Sequence, residues 1–191
     1  MAELVLFHHA QGLTPGIRAF ADEIRAAGHT VHTPDLYDGN TFDSLDDGMA
    51  YARKVGFDTL IGMGIEAAGA LPDGIVHGGF SLGGMPAQLL AQTRPTAGAL
   101  LYHASINTTE FGGAWPADVA VRIHAMDEDP FFMEDGGDID AARAIVETAT
   151  DGELYLYPGD GHLFTDSSLP AYDAGATALV IGRTLEFLKN R

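Results

Sequence analysis

The sequence contains no cysteine. Disulfides, thiolate zinc sites and a cysteine nucleophile are therefore excluded, and the redox compartment leaves no trace. Cations are scarce as well: 10 Lys and Arg stand against 27 Asp and Glu, for a formal net charge of −17. Nucleic acid is not an expected partner, because binding it needs clustered Lys and Arg. An anionic membrane surface is disfavoured for the same reason. The carboxylate surplus reads as a solubility device, with repulsion of anionic substrates as its functional counterpart. No apolar run is long enough to span a membrane. The opening MAELVLFHHAQG lacks a basic n-region and reads as a first strand, not a leader, so a cytoplasmic location is the default expectation. There is no internal repeat, low-complexity stretch or linker. With hydrophobic content at 46%, residues 1–191 read as one globular domain.

What is present alternates between strand and helix. Leu4–Phe7 is a short continuous apolar run, as expected of a strand buried on both faces. Pro15 opens a helix with Ile17, Phe20, Ala21 and Ile24 at helical spacing and Gly28 at its end. The remaining strands are expected at 29–33, 74–79, 97–103, 119–125 and around Leu154 and Leu156. Helices are expected within 44–70 (one or two), at 83–92, at 139–148 and at the end of the chain. The last should bury Ala174, Ala178, Ile181, Leu185 and Leu188. This alternation predicts a mainly parallel sheet with helices on both faces. In such sheets ligands bind beyond the carboxyl ends of the strands.

The stretch GGFSLGG, residues 78–84, lies at one such end. A phosphate loop would need a lysine after its last glycine, but Met85 and Pro86 follow here, and the only lysines are Lys54 and Lys189. A dinucleotide fingerprint is not matched either. Gly79-Phe80-Ser81-Leu82-Gly83 does match Gly-x-Ser-x-Gly between a strand and a helix, the context of a nucleophile elbow. Such a turn presents the serine hydroxyl above the sheet and aims the following N–H, that of Leu82, at the same space.

Serine needs a general base, and the base needs an orienting acid. The order Ser, acid, His is met by Ser81, by HAMDEDPFF (124–132) and by YPGDGHLF (157–164), each of the last two after a strand. Asp129 is the expected acid, because Pro130 and Phe131 can pin its loop. Asp127 is the runner-up, and Asp160 is disfavoured by chain order. His162 is the expected base. A second oxyanion N–H should come from HHAQGLTP (8–15), from Ala10 or Gln11. Adjacent strand residues point to opposite faces, so His8 and His9 do not read as a metal pair. His9 is expected to line the pocket, His8 and His77 to be structural, and His103 to lie near the pocket.

Four stretches together resemble the dienelactone hydrolase family of α/β-hydrolases: GLTPGIRAFADEIRAAGHTVHTPDLYDG (12–39), GGFSLGG, HAMDEDPFF and YPGDGHLF. The resemblance implies an α/β-hydrolase fold and cleavage of an ester, lactone or related acyl bond. It implies Ser81 as nucleophile, Asp129 as acid, His162 as base, and the Ala10 and Leu82 N–H groups as oxyanion donors. This chain also departs from the family pattern. The best-known members carry cysteine where Ser81 stands and a glutamate where His9 stands. They hold a substrate carboxylate with arginines, one of which corresponds to Asp166 here. The segment bearing the other is shortened near residues 40–50. These departures argue against an anionic dienelactone as substrate.

The 104–118 segment is too short for a cap domain, so the site should be open. Its expected lining is His9, Tyr37, Trp115, Phe132 and Leu163. The expected substrate is a small, uncharged acyl compound, with no cofactor or metal required. A homodimer is compatible with the sequence. The competing functions are a thioesterase or acyltransferase using the same groups, and a non-catalytic binding protein on the same fold.

Overall fold

The computed structural model describes residues 1–191. Strands β1 (Glu3–Phe7), β2 (Thr30–His32), β3 (Val76–Phe80), β4 (Gly98–Tyr102), β5 (Val121–Met126) and β6 (Gly152–Tyr157) form one sheet in the order β2-β1-β3-β4-β5-β6. Every pairing is parallel. Helices α1 (Pro15–Ala26), α2 (Leu45–Val55), α3 (Phe57–Gly69), α4 (Gly84–Thr93), α5 (Asp138–Thr148) and α6 (Ala174–Leu188) supply the connections and the final segment.

Alternate strand residues face opposite layers. Val5, Phe7, Ala99, Leu101 and Ile123 pack with Ala52, Leu60, Leu90 and Ile145, so α2, α3, α4 and α5 cover one face. Leu4, Leu6, Leu100 and Tyr102 pack with Ile17, Phe20, Ile24, Val180 and Phe187, so α1 and α6 cover the other. Fully burying one such large side chain stabilises the fold by roughly 1.5–3 kcal/mol relative to exposure. The strand order reverses between β1 and β3. That switch point opens a crevice at the carboxyl ends of these two strands.

Capping explains where the helices begin. Thr14 caps α1 by accepting the Ile17 N–H at 3.3 Å, with Pro15 in the first turn. Ser44 caps α2 through the Asp47 N–H at 3.1 Å. The 44–70 region is two helices because Gly56, at φ 97°, ends α2 and starts α3.

Three expectations need correction. β2 is shorter than 29–33: the His29 N–H turns back to the Ile24 carbonyl at the end of α1, and the His29 ring accepts the Ala2 N–H, so the ladder begins at Thr30. β5 starts at Val121; Val119 lies outside it and its carbonyl accepts the Trp115 indole N–H at 2.8 Å. The buried face of α6 is Thr177, Val180, Ile181, Thr184, Phe187 and Leu188, rotated from the expected one. Two threonines enter the core because their hydroxyls are paired there: Thr177 with the Phe164 carbonyl at 3.0 Å, Thr184 with the Tyr102 hydroxyl at 2.8 Å. No cap domain is inserted; the link from β4 to β5 holds only a short 3-10 turn at Thr108–Phe111. No helix is long and apolar enough to cross a membrane.

Candidate active site

The turn after β3 is forced by its glycines. A Cβ on Gly79 would overlap the Gly83 carbonyl, and one on Gly83 would overlap the carbonyls of Phe7 and His8. Only glycine lets β3, the turn and β1 approach this closely. Ser81 at the apex adopts φ 46°, a left-handed conformation that costs a non-glycine residue on the order of 1–2 kcal/mol. Its hydroxyl is lifted above the carboxyl edge of the sheet.

His162 and Asp129 reach the same point from the loops after β6 and β5. Ser81 Oγ lies 2.9 Å from His162 Nε2, and His162 Nδ1 lies 2.7 Å from Asp129 Oδ2. Asp129 is fully buried, and its other oxygen accepts the N–H groups of Phe131 at 2.9 Å and Phe132 at 3.4 Å. Two backbone donors and an imidazole therefore hold a carboxylate where water does not reach. An ionised carboxylate only accepts, so Nδ1 carries the proton and the Nε2 lone pair faces the Ser81 hydroxyl. Asp127 is exposed and instead accepts the Gly159 N–H at 3.0 Å, steadying the turn before His162.

The loop after β1 is held from several sides. The Gln11 N–H donates to His9 Nδ1 at 3.1 Å, which leaves Ala10 rather than Gln11 with a backbone N–H that no group of the chain accepts. His9 Nε2 in turn donates to Asp166 Oδ2 at 2.8 Å, and Thr14 Oγ1 donates to the same oxygen at 2.5 Å. Asp166 is fully buried and also takes the Ser168 N–H at 2.8 Å. Burial alone would raise its pKa, but the hydrogen bonds from His9, Ser168 and Thr14 hold it below the ordinary value. One carboxylate thus ties the loop after β1 to the segment after His162. His8 points the other way: it accepts the Leu36 N–H at 3.0 Å and donates to the His9 carbonyl at 2.8 Å. Burial pushes its pKa down to about 4, so it stays neutral. No three His, Asp or Glu side chains converge as a metal site.

A cavity of about 440 Å³ opens over Ser81 and His162. Leu45, Met49 and Arg53, an i, i+4, i+8 row on α2, form one wall that Phe57 continues. Leu82, Met85, Ala104, Ile106 and Phe131 complete its apolar lining. The Phe131 ring lies 4.8 Å from the His162 ring and is 56% exposed, so it stands at the mouth.

None of the five expected lining residues is in this cavity. His9 is committed to Asp166 and Gln11. Tyr37 is buried in an aromatic cluster with His8 and Tyr51. Trp115 is buried, with its indole N–H on Val119. Phe132 is fully buried in the core. Leu163 borders a smaller, separate cavity beside His162. Ser81, Leu82, His103 and His162 do line it, but its apolar wall was not expected; the i, i+4 spacing of Leu45 and Met49 was the available signal.

Two further groups set the polarity of the main cavity. His103, at the end of β4 with φ 60°, is buried and bonded to Thr165 at 2.8 Å. Burial holds its pKa well below 6.5, so it adds no charge beside His162. Asp138, at the start of α5, accepts the Ser105 N–H at 3.1 Å. Desolvation pushes it up to about 6, with Ser105 and His162 opposing. Above that pH the inner wall is negative.

This architecture recurs among solved structures. A dienelactone-hydrolase-like promiscuous phosphotriesterase from metagenomic libraries aligns over 100% of this chain and 86% of its own, with TM-score 0.77 and 20% identity. A Klebsiella pneumoniae protein described as a dienelactone hydrolase aligns over 100% and 88%, with TM-score 0.70 and 16% identity. A Xanthomonas campestris protein described as a hydrolase of the alpha/beta superfamily aligns over 100% of both chains, with TM-score 0.64 and 20% identity. No curated protein matches. The family model for the dienelactone hydrolase family matches residues 2–191. The chain therefore belongs to the dienelactone hydrolase family and has the α/β-hydrolase fold without a cap domain.

Proposed function

We propose that this protein is a serine hydrolase that cleaves a small, uncharged ester or lactone through an acyl-enzyme. The observation that carries the reading is the unbroken hydrogen-bonded line from Ser81 Oγ through His162 to buried Asp129. Ser81 Oγ attacks the acyl carbonyl as its proton passes to His162 Nε2. The carbonyl electron pair moves onto oxygen, facing the N–H groups of Leu82 and Ala10. One such donor contributes on the order of 10²–10³ in rate. The C–O bond to the alcohol then breaks, and His162 returns its proton to the departing oxygen. Water, deprotonated by the same imidazole, releases the acid from Ser81. Asp129 stabilises the imidazolium and fixes its tautomer.

The cavity supports an uncharged substrate. Its walls are mostly apolar, and Asp138 on the inner side forms no ion pair. Arg53 and Asp46 stand exposed on α2, where water screens them. A substrate carboxylate would meet a like charge inside. The test is fluorophosphonate labelling together with p-nitrophenyl acetate turnover, for wild type and Ser81→Ala. Labelling and activity should both vanish in the variant. An unlabelled and inactive wild type, or a fully active Ser81→Ala protein, would overturn the reading.

A further inference from the structure

An ester has two sides, and the main cavity accounts for one. A second cavity of about 220 Å³ adjoins it, walled by Leu45, Leu163, Leu169 and Ala171 and reaching Gln11 and His162. It shares Leu45 and His162 with the main cavity but does not reach Ser81 or Leu82. It therefore lies beside the imidazole, between the loop after β1 and the segment after His162, and meets the main cavity at Leu45 and His162.

The chemistry distinguishes the two sides. When the tetrahedral intermediate collapses, the C–O bond electrons go to the alcohol oxygen. That oxygen must take its proton from His162 Nε2, so it has to leave on the imidazole side. The geometry points to the second cavity as the leaving-group subsite: it takes the alcohol portion of the ester, while the main cavity takes the acyl portion. This assignment rests on the acyl-enzyme reading above.

The subsite is built in advance. Asp166, through His9, Thr14 and Ser168, pins the segment that carries three of its walls. The Asp166 N–H donates to the Leu163 carbonyl at 3.0 Å, and the Leu169 N–H to the Asp166 carbonyl at 3.1 Å, which fixes Leu163 and Leu169. One Nε2–H of Gln11 donates to the Phe42 carbonyl at 3.0 Å, which holds the side chain in place as part of the wall. With half the volume of its neighbour, apolar walls and exposed Asp43 at its rim, the subsite suits a small, uncharged alcohol.

The test varies the two halves of the ester separately. Ala171 is exposed, so Ala171→Trp fills the subsite with little risk to the fold. For acetate esters, the preference of kcat/KM for methanol over benzyl alcohol as leaving group should rise roughly tenfold or more. Leu169→Ala, which enlarges the subsite, should lower the same preference. The deacylation rate of the acetyl-enzyme should stay within about twofold in both, because the alcohol has already departed. Met85→Trp in the main cavity should shift dependence on acyl length instead. Selectivity for the alcohol that is unmoved in both subsite variants, or an Ala171→Trp effect that follows acyl length or slows deacylation, overturns the assignment. If the wild type is labelled by fluorophosphonate, such a result sinks the subsite alone. If it is neither labelled nor active, the acyl-enzyme reading falls first and the subsite with it.

Discussion

Replacing Asp129 by Asn tests the proposed mechanism at the point where the structure is most specific. The carboxylate has two jobs on two oxygens. Oδ1 accepts the Phe131 and Phe132 N–H groups, and Oδ2 accepts from His162 Nδ1. Asparagine can keep only the first without conflict: its carbonyl stays on the backbone donors, and its NH₂ then faces His162. That NH₂ donates, so Nδ1 must become the acceptor and the ring proton moves to Nε2. The nitrogen facing Ser81 at 2.9 Å then has no lone pair to take a proton. The expected loss in kcat is on the order of 10⁴, or about 5.5 kcal/mol in the barrier. Folding should suffer far less, by roughly 1–3 kcal/mol, because only the charge-assisted bond is lost. Turnover of p-nitrophenyl acetate and thermal unfolding, measured side by side, separate the two effects. Asp127→Asn is the control: its acceptor for Gly159 survives the change, and kcat should fall less than roughly tenfold. The tautomer argument is refuted if Asp129→Asn keeps a tenth of the activity, or if Asp127→Asn loses as much.

Three other outcomes follow from the geometry. Gly83→Ala drives a Cβ into two backbone carbonyls of the β1 strand and loop, so it should cost about 3 kcal/mol or more, a Tm drop of roughly 6–12 °C by calorimetry. Asp138 has a folded pKa near 6, above an unfolded value of about 3.9; stability is complete below the lower value and is lost as pH rises through the upper. Asp138→Asn should therefore stabilise the protein at pH 7.5 by on the order of 1–2 kcal/mol, with the gain gone below about pH 4 in denaturant titrations; a constant gain at all pH values would contradict this. Asp166 is the opposite case: its folded pKa is depressed, so its contribution is present above the unfolded value and lost as pH falls through the folded one. Asp166→Asn should be markedly less stable at neutral pH, and the gap to wild type should close in acid.

The residues of the proposed catalytic line were legible because each sits in a local pattern. Glycines two before and two after Ser81 encode a tight turn, and Asp129 and His162 both follow apolar runs ended by turn residues. The layers were legible too, since Leu4–Phe7 and Ala99–Tyr102 are apolar on both faces. What could not be read depends on three-dimensional company. Tyr37, Trp115 and Phe132 are large and lie near strand ends, but neighbouring rings and carbonyls absorb them into the core. Leu45, Met49 and Phe57 look like core residues by spacing, yet the cavity interrupts what they face. The His9–Asp166 pair spans 157 positions, and no periodicity links its members.

The two neighbouring strands that frame the cavity, β3 and β4, are each followed directly by a non-glycine residue with positive φ, Ser81 at 46° and His103 at 60°. Under the proposed mechanism, durability and reactivity therefore pull against each other at the sheet's rim. A glycine at position 81 would relieve the backbone and lose the hydroxyl in the same step. Selection for heat resistance alone would drift toward a sturdier, silent protein, and only a demand for turnover would keep the serine in its cramped posture.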